Sequence, residues 1–205
     1  MLYFVGCLYG YFLMQCLFVI CSTIGTSNYQ YKLSLQFKNK ILNRTVPQVL
    51  KIILSYNCRG LGKGIKWAAI KKLNLKYKVD LVCIQETKKE YFNKLTCQSI
   101  WGDSNVSWDS VPSVHTSGGL LCLWNISVFE VDSRVKGSNF LMLAGRWIKH
   151  DQRIYIVNIY APCDLQGKRA LWEELRQLRI SHTDGLWCFL GDFNSIRSQE
   201  ERIGT

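Results

Sequence analysis

The chain has 205 residues, a length that corresponds to one domain or to one domain with an appendage. Hydrophobic residues make up 48% of the chain, which is enough to form a core and argues against a disordered protein. The chain contains only three prolines, which excludes a collagen-like protein. The net charge is +11, and the whole excess lies in residues 1–100, which carry 15 bases and three acids. An excess of basic residues in this half of the chain is typical of proteins that bind nucleic acid or an acidic membrane surface. A helix face of solvated lysines would give the same excess of positive charge.

The first 25 residues contain no charged side chain. An apolar stretch of this length can span a bilayer. It lacks the basic start and cleavage site of a secretory signal, and the first bases follow it, which would leave the rest of the chain in the cytoplasm. We expect a helix over 3–22 that packs poorly against the rest, as a membrane span or as a non-native leader from a fragmentary reading frame. Residues 26–49 lack periodicity and are interpreted as a linker to a folded domain at 50–205.

The nine cysteines include no Cys-x-x-Cys pair and have no histidine at zinc-finger spacing, which argues against a zinc site. Cys83, Cys122 and Cys188 lie within apolar runs, where a thiol acts as a small buried hydrophobe. Unpaired buried thiols are typical of a reducing compartment, so we expect the nucleus or the cytoplasm.

The organised part of the chain alternates strand-like and helix-like patterns. Runs rich in Ile, Val, Leu and aromatic residues predict strands at 51–56, 79–85, 119–124, 139–148, 153–160 and 186–191. Apolar residues at helical spacing predict helices over 64–77, with Ile65, Ala69, Ile70, Leu73 and Tyr77 on one face, and over 167–180, with Leu171, Leu175 and Leu178. The pattern indicates a mixed α/β protein with a sheet-rich core.

Polar residues stand at the ends of four of these strands. They are Asn57, Gln85 with Glu86, Asn158 with Tyr160, and Asp192 with Asn194. Carboxylates at a strand end can ligate Mg²⁺, which takes few protein ligands and keeps several waters. Any one of these residues alone would be interpreted as a turn or cap residue.

Five motifs in order resemble a known family. LSYNCRGLG, DLVCIQETK, SGGLLCLW, VNIYAP and LGDFNSI lie between residues 54 and 196. They are similar to the successive motifs of the endonuclease/exonuclease/phosphatase superfamily, which has the deoxyribonuclease I-like fold. The amino-acid sequences of these motifs most resemble those of the endonuclease domain of plant non-LTR (LINE-type) retrotransposons. The resemblance implies an α/β (α+β) four-layer sandwich in which helices flank two packed sheets.

The resemblance also implies roles for the residues that match. Glu86 would be the principal ligand of Mg²⁺, with Mn²⁺ as an alternative, and Asn57 would help to hold the metal or the phosphate. Catalytic groups would orient or deprotonate the attacking water, bind the phosphate and line the pocket; these are Asp192, Asn194, Tyr160 and Asn158. Hydrolysis of a phosphodiester needs these elements: a cation, an in-line water and donors to the phosphate oxygens.

The resemblance further indicates DNA as partner, and no protein partner follows from the sequence. We expect the basic 64–77 helix region to contact nucleic acid through Lys63, Lys66, Lys71 and Lys72, although a solvated face is the alternative. The chain ends at Thr205, before the Ser-Asp-His motif of the family, so we expect a partial sandwich without its C-terminal part and an incomplete catalytic set. Two alternatives remain: a catalytically silent fragment that binds nucleic acid, and a membrane-tethered phosphoesterase of the same superfamily.

Overall fold

The computed structural model describes residues 51–62, 64–114 and 117–194 with their side chains, and the backbone of 6–8, 17–23 and 32–33. The strands are β1 (Gly6–Leu8), β2 (Leu17–Thr23), β3 (Lys32–Leu33), β4 (Lys51–Asn57), β5 (Leu81–Gln85), β6 (Val106–Val114), β7 (Ser117–Asn125), β8 (Phe129–Lys136), β9 (Phe140–Trp147), β10 (Gln152–Tyr160) and β11 (Leu186–Asp192). The helices are α1 (Ile65–Tyr77), α2 (Lys94–Trp101) and α3 (Leu165–Ser181), with a short 3-10 turn at Ile148–His150.

The strands form two sheets. The first sheet has the order β3-β2-β4-β5-β7-β6, and the second has the order β1-β11-β10-β9-β8. Most neighbours are antiparallel, but β4 pairs with β2 and β5 in parallel, and β10 pairs with β11 in parallel. Each of these parallel strands therefore ends at the same edge of its sheet as its parallel partner.

Three apolar clusters define four layers. The middle cluster lies between the sheets and includes Ile53, Leu143 and Ile156. Side chains of α1 and α2 cover the outer face of the first sheet, and those of α3 cover the outer face of the second. Both faces of each sheet are buried, and this explains the continuous apolar runs of the inner strands. The predicted fold class, an α/β sandwich of the deoxyribonuclease I-like type, is confirmed.

The predicted strands and the two predicted helices are present, but the apolar face of α1 differs from the prediction. Ile65 is 76% exposed, whereas Ile70, Leu73 and Asn74 are buried. Asn74 is accommodated because its Nδ2 donates to the carbonyl oxygen of Trp101, at 2.6 Å. Ile65 therefore faces solvent, whereas Trp67 in the same turn packs against the apolar cluster beneath α1.

The predicted N-terminal helix over 3–22 is wrong where the structure describes the chain. Gly6–Leu8 pairs antiparallel with β11, and Leu17–Thr23 pairs in parallel with β4 over seven residues, from Leu17 opposite Lys51 to Thr23 opposite Asn57. The reason is that β4 is buried on both faces and has backbone groups to pair on both sides. The rest of the predicted helix lies outside the described residues. Among the described helices, none is both long and apolar enough to cross a bilayer.

This pairing predicts that the N-terminal segment stabilises the fold. A chain lacking residues 1–25 should lose roughly 3 kcal/mol or more of its free energy of unfolding, since each backbone hydrogen bond contributes roughly 0.5–1.5 kcal/mol. Urea unfolding followed by circular dichroism measures the difference. Deletion of residues 1–10 removes β1 alone and should have a smaller effect; equal stability of all three chains would contradict the pairing.

Candidate active site

The strand ends bring polar side chains from both sheets to one edge of the sandwich. Asn57 is the last residue of β4, Glu86 follows β5, Tyr160 ends β10 and Asp192 ends β11. In open α/β sheets, functional groups gather beyond the carboxyl ends of parallel strands. Four residues proposed from sequence therefore share one location.

The Asn57 side chain connects the two carboxylates. Its Nδ2 donates to Glu86 Oε1 at 2.8 Å and to Asp192 Oδ2 at 2.6 Å. Its Oδ1 accepts from the backbone N–H of Arg59 at 3.0 Å, and the residue is fully buried. One amide thus holds carboxylates from the first and the second sheet within hydrogen-bonding distance of a single nitrogen.

Glu86 lies in a turn with left-handed backbone geometry, at φ 53°. The neighbouring loop fixes this turn, because the N–H of Gly60 donates to the Glu86 carbonyl at 2.6 Å and that of Leu61 donates to the Thr87 carbonyl at 2.8 Å. On the other side, a Cβ on Gly119 would lie 2.4 Å from Thr87 Oγ1, and Gly119 has φ +84°. Only glycine fits there, and this accounts for the second glycine of SGGLLCLW.

The segment after β11 forms a second turn. The N–H of Asn194 donates to Asp192 Oδ1 at 2.9 Å, and its Nδ2 donates to the carbonyl of Ala161 at 2.6 Å. Ala161 in turn donates its N–H to the Asp192 carbonyl at 2.8 Å. Asp192 and Asn194 are thus joined to the segment that follows Tyr160.

Burial and mutual repulsion shape the electrostatics of the site. Desolvation raises the pKa of Asp192, and the charge of Glu86 raises it further, while hydrogen bonds from Asn194 and Asn57 oppose the shift. Burial also raises the pKa of Tyr160 to about 12, helped by the negative charges of Glu86 and Asp192. The site therefore combines two carboxylates with a phenol that keeps its proton at neutral pH.

This donor set suits a hard divalent cation. Carboxylate and amide oxygens are the ligands that Mg²⁺ prefers, and it retains several waters, so two carboxylates are sufficient. Within residues 51–62, 64–114 and 117–194, no three His, Cys, Asp or Glu side chains form a closed metal cage. The residues fit an open, hydrated ion and do not fit a structural zinc site.

Asn158 lies beneath the site rather than on its surface. It is fully buried, accepts a hydrogen bond from Gln85 Nε2 at 2.6 Å, and donates to the carbonyls of Ile84 and Leu121 at 3.2 and 3.3 Å. The expected phosphate contact is therefore not available to this side chain. The structure instead joins β10 to β5 through Asn158 and Gln85, a pairing across the sheets that the sequence did not reveal.

The three described lysines of the proposed DNA-binding set have different environments. Lys63 lies outside the described residues. Lys66 is engaged with the protein itself, because its Nζ donates to the carbonyls of Cys58 and Gly60 at 2.7 and 2.5 Å. Lys71 is half-buried, and Lys72 is exposed six residues further along α1, about 9 Å beyond Lys66.

Other basic residues lie in the segments that follow β4 and β5. Arg59 is exposed, and its positive charge partly opposes the increase in the pKa of Asp192 that burial causes. The side chain of Lys88 lies against Gly60, and Lys89 Nζ lies 5.8 Å from the ring centroid of Trp67. All three basic residues belong to or follow the motifs NCRGLG and QETK, so the motifs were the available signal for them.

The family model for endonuclease/exonuclease/phosphatase proteins matches residues 54–202. The chain belongs to the endonuclease/exonuclease/phosphatase family. No curated protein matches the sequence. The matched range contains Asn57, Glu86, Tyr160 and Asp192.

Solved structures of the family share the fold. The AP endonuclease LMAP from Leishmania major superposes with a TM-score of 0.59 at 17% identity, over 75% of this chain and 58% of that one. A mannosyl-6-phosphatase from Bacteroides thetaiotaomicron gives 0.54 at 11% identity, over 72% and 67%. Humanized D. rerio TDP2 gives 0.51 at 15% identity, over 71% and 62%. The chain spans about three fifths of the length of the first of these relatives.

We expect the phenol of Tyr160 to titrate at a higher pH than an exposed tyrosine. The pKa of Tyr160 is raised from 10.0 to about 12, so the folded state holds this proton more tightly than the unfolded state. The resulting stability is fully present below pH 10 and is lost as the pH rises towards about 12. Tyr160→Phe should remove this loss and the corresponding late step in tyrosinate absorbance. Tyr91→Phe, which alters an exposed phenol, is the control; an unchanged titration in Tyr160→Phe would contradict the assignment.

Proposed function

We propose that this chain is a Mg²⁺-dependent phosphodiesterase domain of the endonuclease type that acts on DNA. Membership of the family establishes the coarser class of nuclease-like, phosphodiesterase or phosphatase domains. The observation that carries the finer proposal is the bridge from Asn57 to Glu86 and Asp192, which gathers two hard-oxygen donors at one point.

Two residues position the cation in the proposed site. Glu86 would be the principal ligand of the cation, and Asn57 would hold the carboxylates of Glu86 and Asp192 in place through its Nδ2. When bound, the cation neutralises charge that develops on the phosphate. Mn²⁺ satisfies the same oxygen donors and is the expected substitute.

The remaining groups act on the water and the phosphate. Asp192, whose pKa is raised, accepts a proton from the attacking water, and Asn194 fixes the carboxylate through its backbone N–H. Tyr160, whose pKa lies near 12, stays protonated and donates a hydrogen bond to a phosphate or leaving-group oxygen.

The amino-acid sequences of the motifs support the proposal of an origin in a plant retrotransposon. NCRGLG, SGGLLCLW and GDFN are the stretches that carry this likeness. We also propose that cleavage is slow. The described histidines, His150 and His182, lie near the start of β10 and after α3, far from the end of β10 where the site is, so neither can protonate the leaving group there.

Cation binding is the first test of the proposal. Glu86→Gln keeps the size of the side chain but removes its charge, so the affinity for Mg²⁺ should fall about tenfold or more, as measured by calorimetric titration. Glu90→Gln alters an exposed acid of the same loop and should leave the affinity unchanged. A plasmid-nicking assay follows: we expect weak nicking that Glu86→Gln abolishes. Equal Mg²⁺ affinity in all three proteins would overturn the proposed ligand.

The second candidate function is binding of nucleic acid without cleavage, favoured by the bases beside the site. Each lysine in contact with a phosphate contributes about 0.9 to the slope of log affinity against log salt concentration. The double variant Lys88→Gln/Lys89→Gln should therefore reduce the slope for duplex DNA by about 2. Lys66→Gln should leave the slope unchanged, since that ammonium already binds backbone carbonyls. A reduced slope in Lys66→Gln would show instead that this lysine contacts phosphate. DNA binding without Mg²⁺-dependent nicking would favour this second function.

A further inference from the structure

The turn at Phe193 and Asn194 contains a residue with left-handed backbone geometry. Asn194 has φ 46°, in the region that Asn adopts more readily than other residues with a side chain because its amide can form local hydrogen bonds. Two hydrogen bonds of its own, to Asp192 Oδ1 and to the carbonyl of Ala161, favour this geometry. The carbonyl oxygen of Asn194 is a further acceptor at this turn.

Lys168 in the first turn of α3 supplies the donor to this acceptor. Its Nζ donates to the Asn194 carbonyl at 2.6 Å, and the residue is half-buried. A hydrogen bond from an ammonium is roughly twice as strong as one between neutral groups. Lys168 therefore fixes the carbonyl of Asn194 relative to α3.

Trp172 contacts the preceding residue of the same turn. It lies four residues after Lys168, on the same face of α3. Its ring stacks on Phe193, with centroids 5.8 Å apart and planes inclined by 6°. Trp172 is 47% exposed, so it contributes to this local contact more than to the core.

The start of α3 is itself anchored at the site. Asp164 Oδ1 accepts from the N–H of Gly167 at 2.7 Å and caps the helix. A Cβ on Gly167 would lie 2.7 Å from Pro162, so the helix rests directly on the segment after Tyr160. Leu171 and Leu175 bury the inner face of α3 against the second sheet. The helix can thus transmit the position of the β10 end to the turn after β11.

We propose that Lys168 and Trp172 are positioning residues that clamp the turn at Phe193 and Asn194 and thereby hold Asp192 towards Asn57. The clamp acts on Asp192 through the Asn194 N–H, and neither residue touches the substrate. The inference rests on the proposed function for its catalytic consequence, whereas the clamp itself can be tested without cation or DNA.

Hydrogen exchange of the Asn194 amide, followed by NMR on the full chain, tests the clamp. Lys168→Met should accelerate this exchange about tenfold without a matching fall in melting temperature, and Trp172→Leu should act in the same direction. Lys168→Arg retains a cationic donor and should restore slow exchange. Arg169→Met removes an exposed charge from the same turn of α3 and is the matched control.

The outcomes separate the clamp from general stability and from the proposed function. Unchanged Asn194 exchange in Lys168→Met, or faster exchange throughout the protein together with a lower melting temperature, would overturn the clamp. With the clamp present, Lys168→Met should weaken Mg²⁺ binding several-fold and lower kcat for nicking with little change in KM. If the wild-type chain binds no Mg²⁺, the proposed function fails, and the exchange result still decides the clamp.

Discussion

The arrangement of the site depends on one amide group. Asn57 has two N–H bonds on its side chain, and both are used on carboxylates that belong to different sheets. Without this donor, Glu86 and Asp192 would face each other as two like charges in a desolvated environment. The same amide accepts from the backbone of Arg59, so its orientation is set by the loop after β4. Loop, first sheet and second sheet meet at this side chain.

A buried polar contact beneath the site maintains the spacing on which that amide relies. Gln85 and Asn158 are both fully buried and join the two sheets at 2.6 Å within an otherwise apolar interior. Gln85 precedes Glu86, and Asn158 lies two residues before Tyr160, so a shift between the sheets would separate the reactive groups. The direct hydrogen bond between them favours this relative position of the two sheets over a shifted one.

The sequence predicted the inner strands because they are buried on both faces and read as continuous apolar runs. It did not reveal β6 and β8, which are edge strands with many polar residues, or α2, whose eight residues are too few for a clear period. The apolar N-terminal segment was ambiguous. Composition fits a membrane helix as well as strands, and only pairing with β4, a contact between distant parts of the chain, decides between them.

At the site, the motifs identified Asn57, Glu86, Tyr160 and Asp192, which the structure brings together. The motifs did not show how deeply each side chain is buried. Asn158 and Tyr160 share a face of β10, but two residues of a strand span about 6.6 Å. This distance places Tyr160 at the rim of the site and Asn158 in the interior. The environment of Lys66 was likewise not visible in the sequence. Its place in a basic helix says nothing about the backbone carbonyls that its ammonium meets.

The left-handed residues have a consequence for how this sequence can change. Of the six described residues other than glycine with positive φ, four flank the site: Arg59, Glu86, Lys88 and Asn194. Glycine at such a position relieves backbone strain. At Glu86 it would also remove the carboxylate, so backbone stability and the chemistry of the site make opposite demands on this residue.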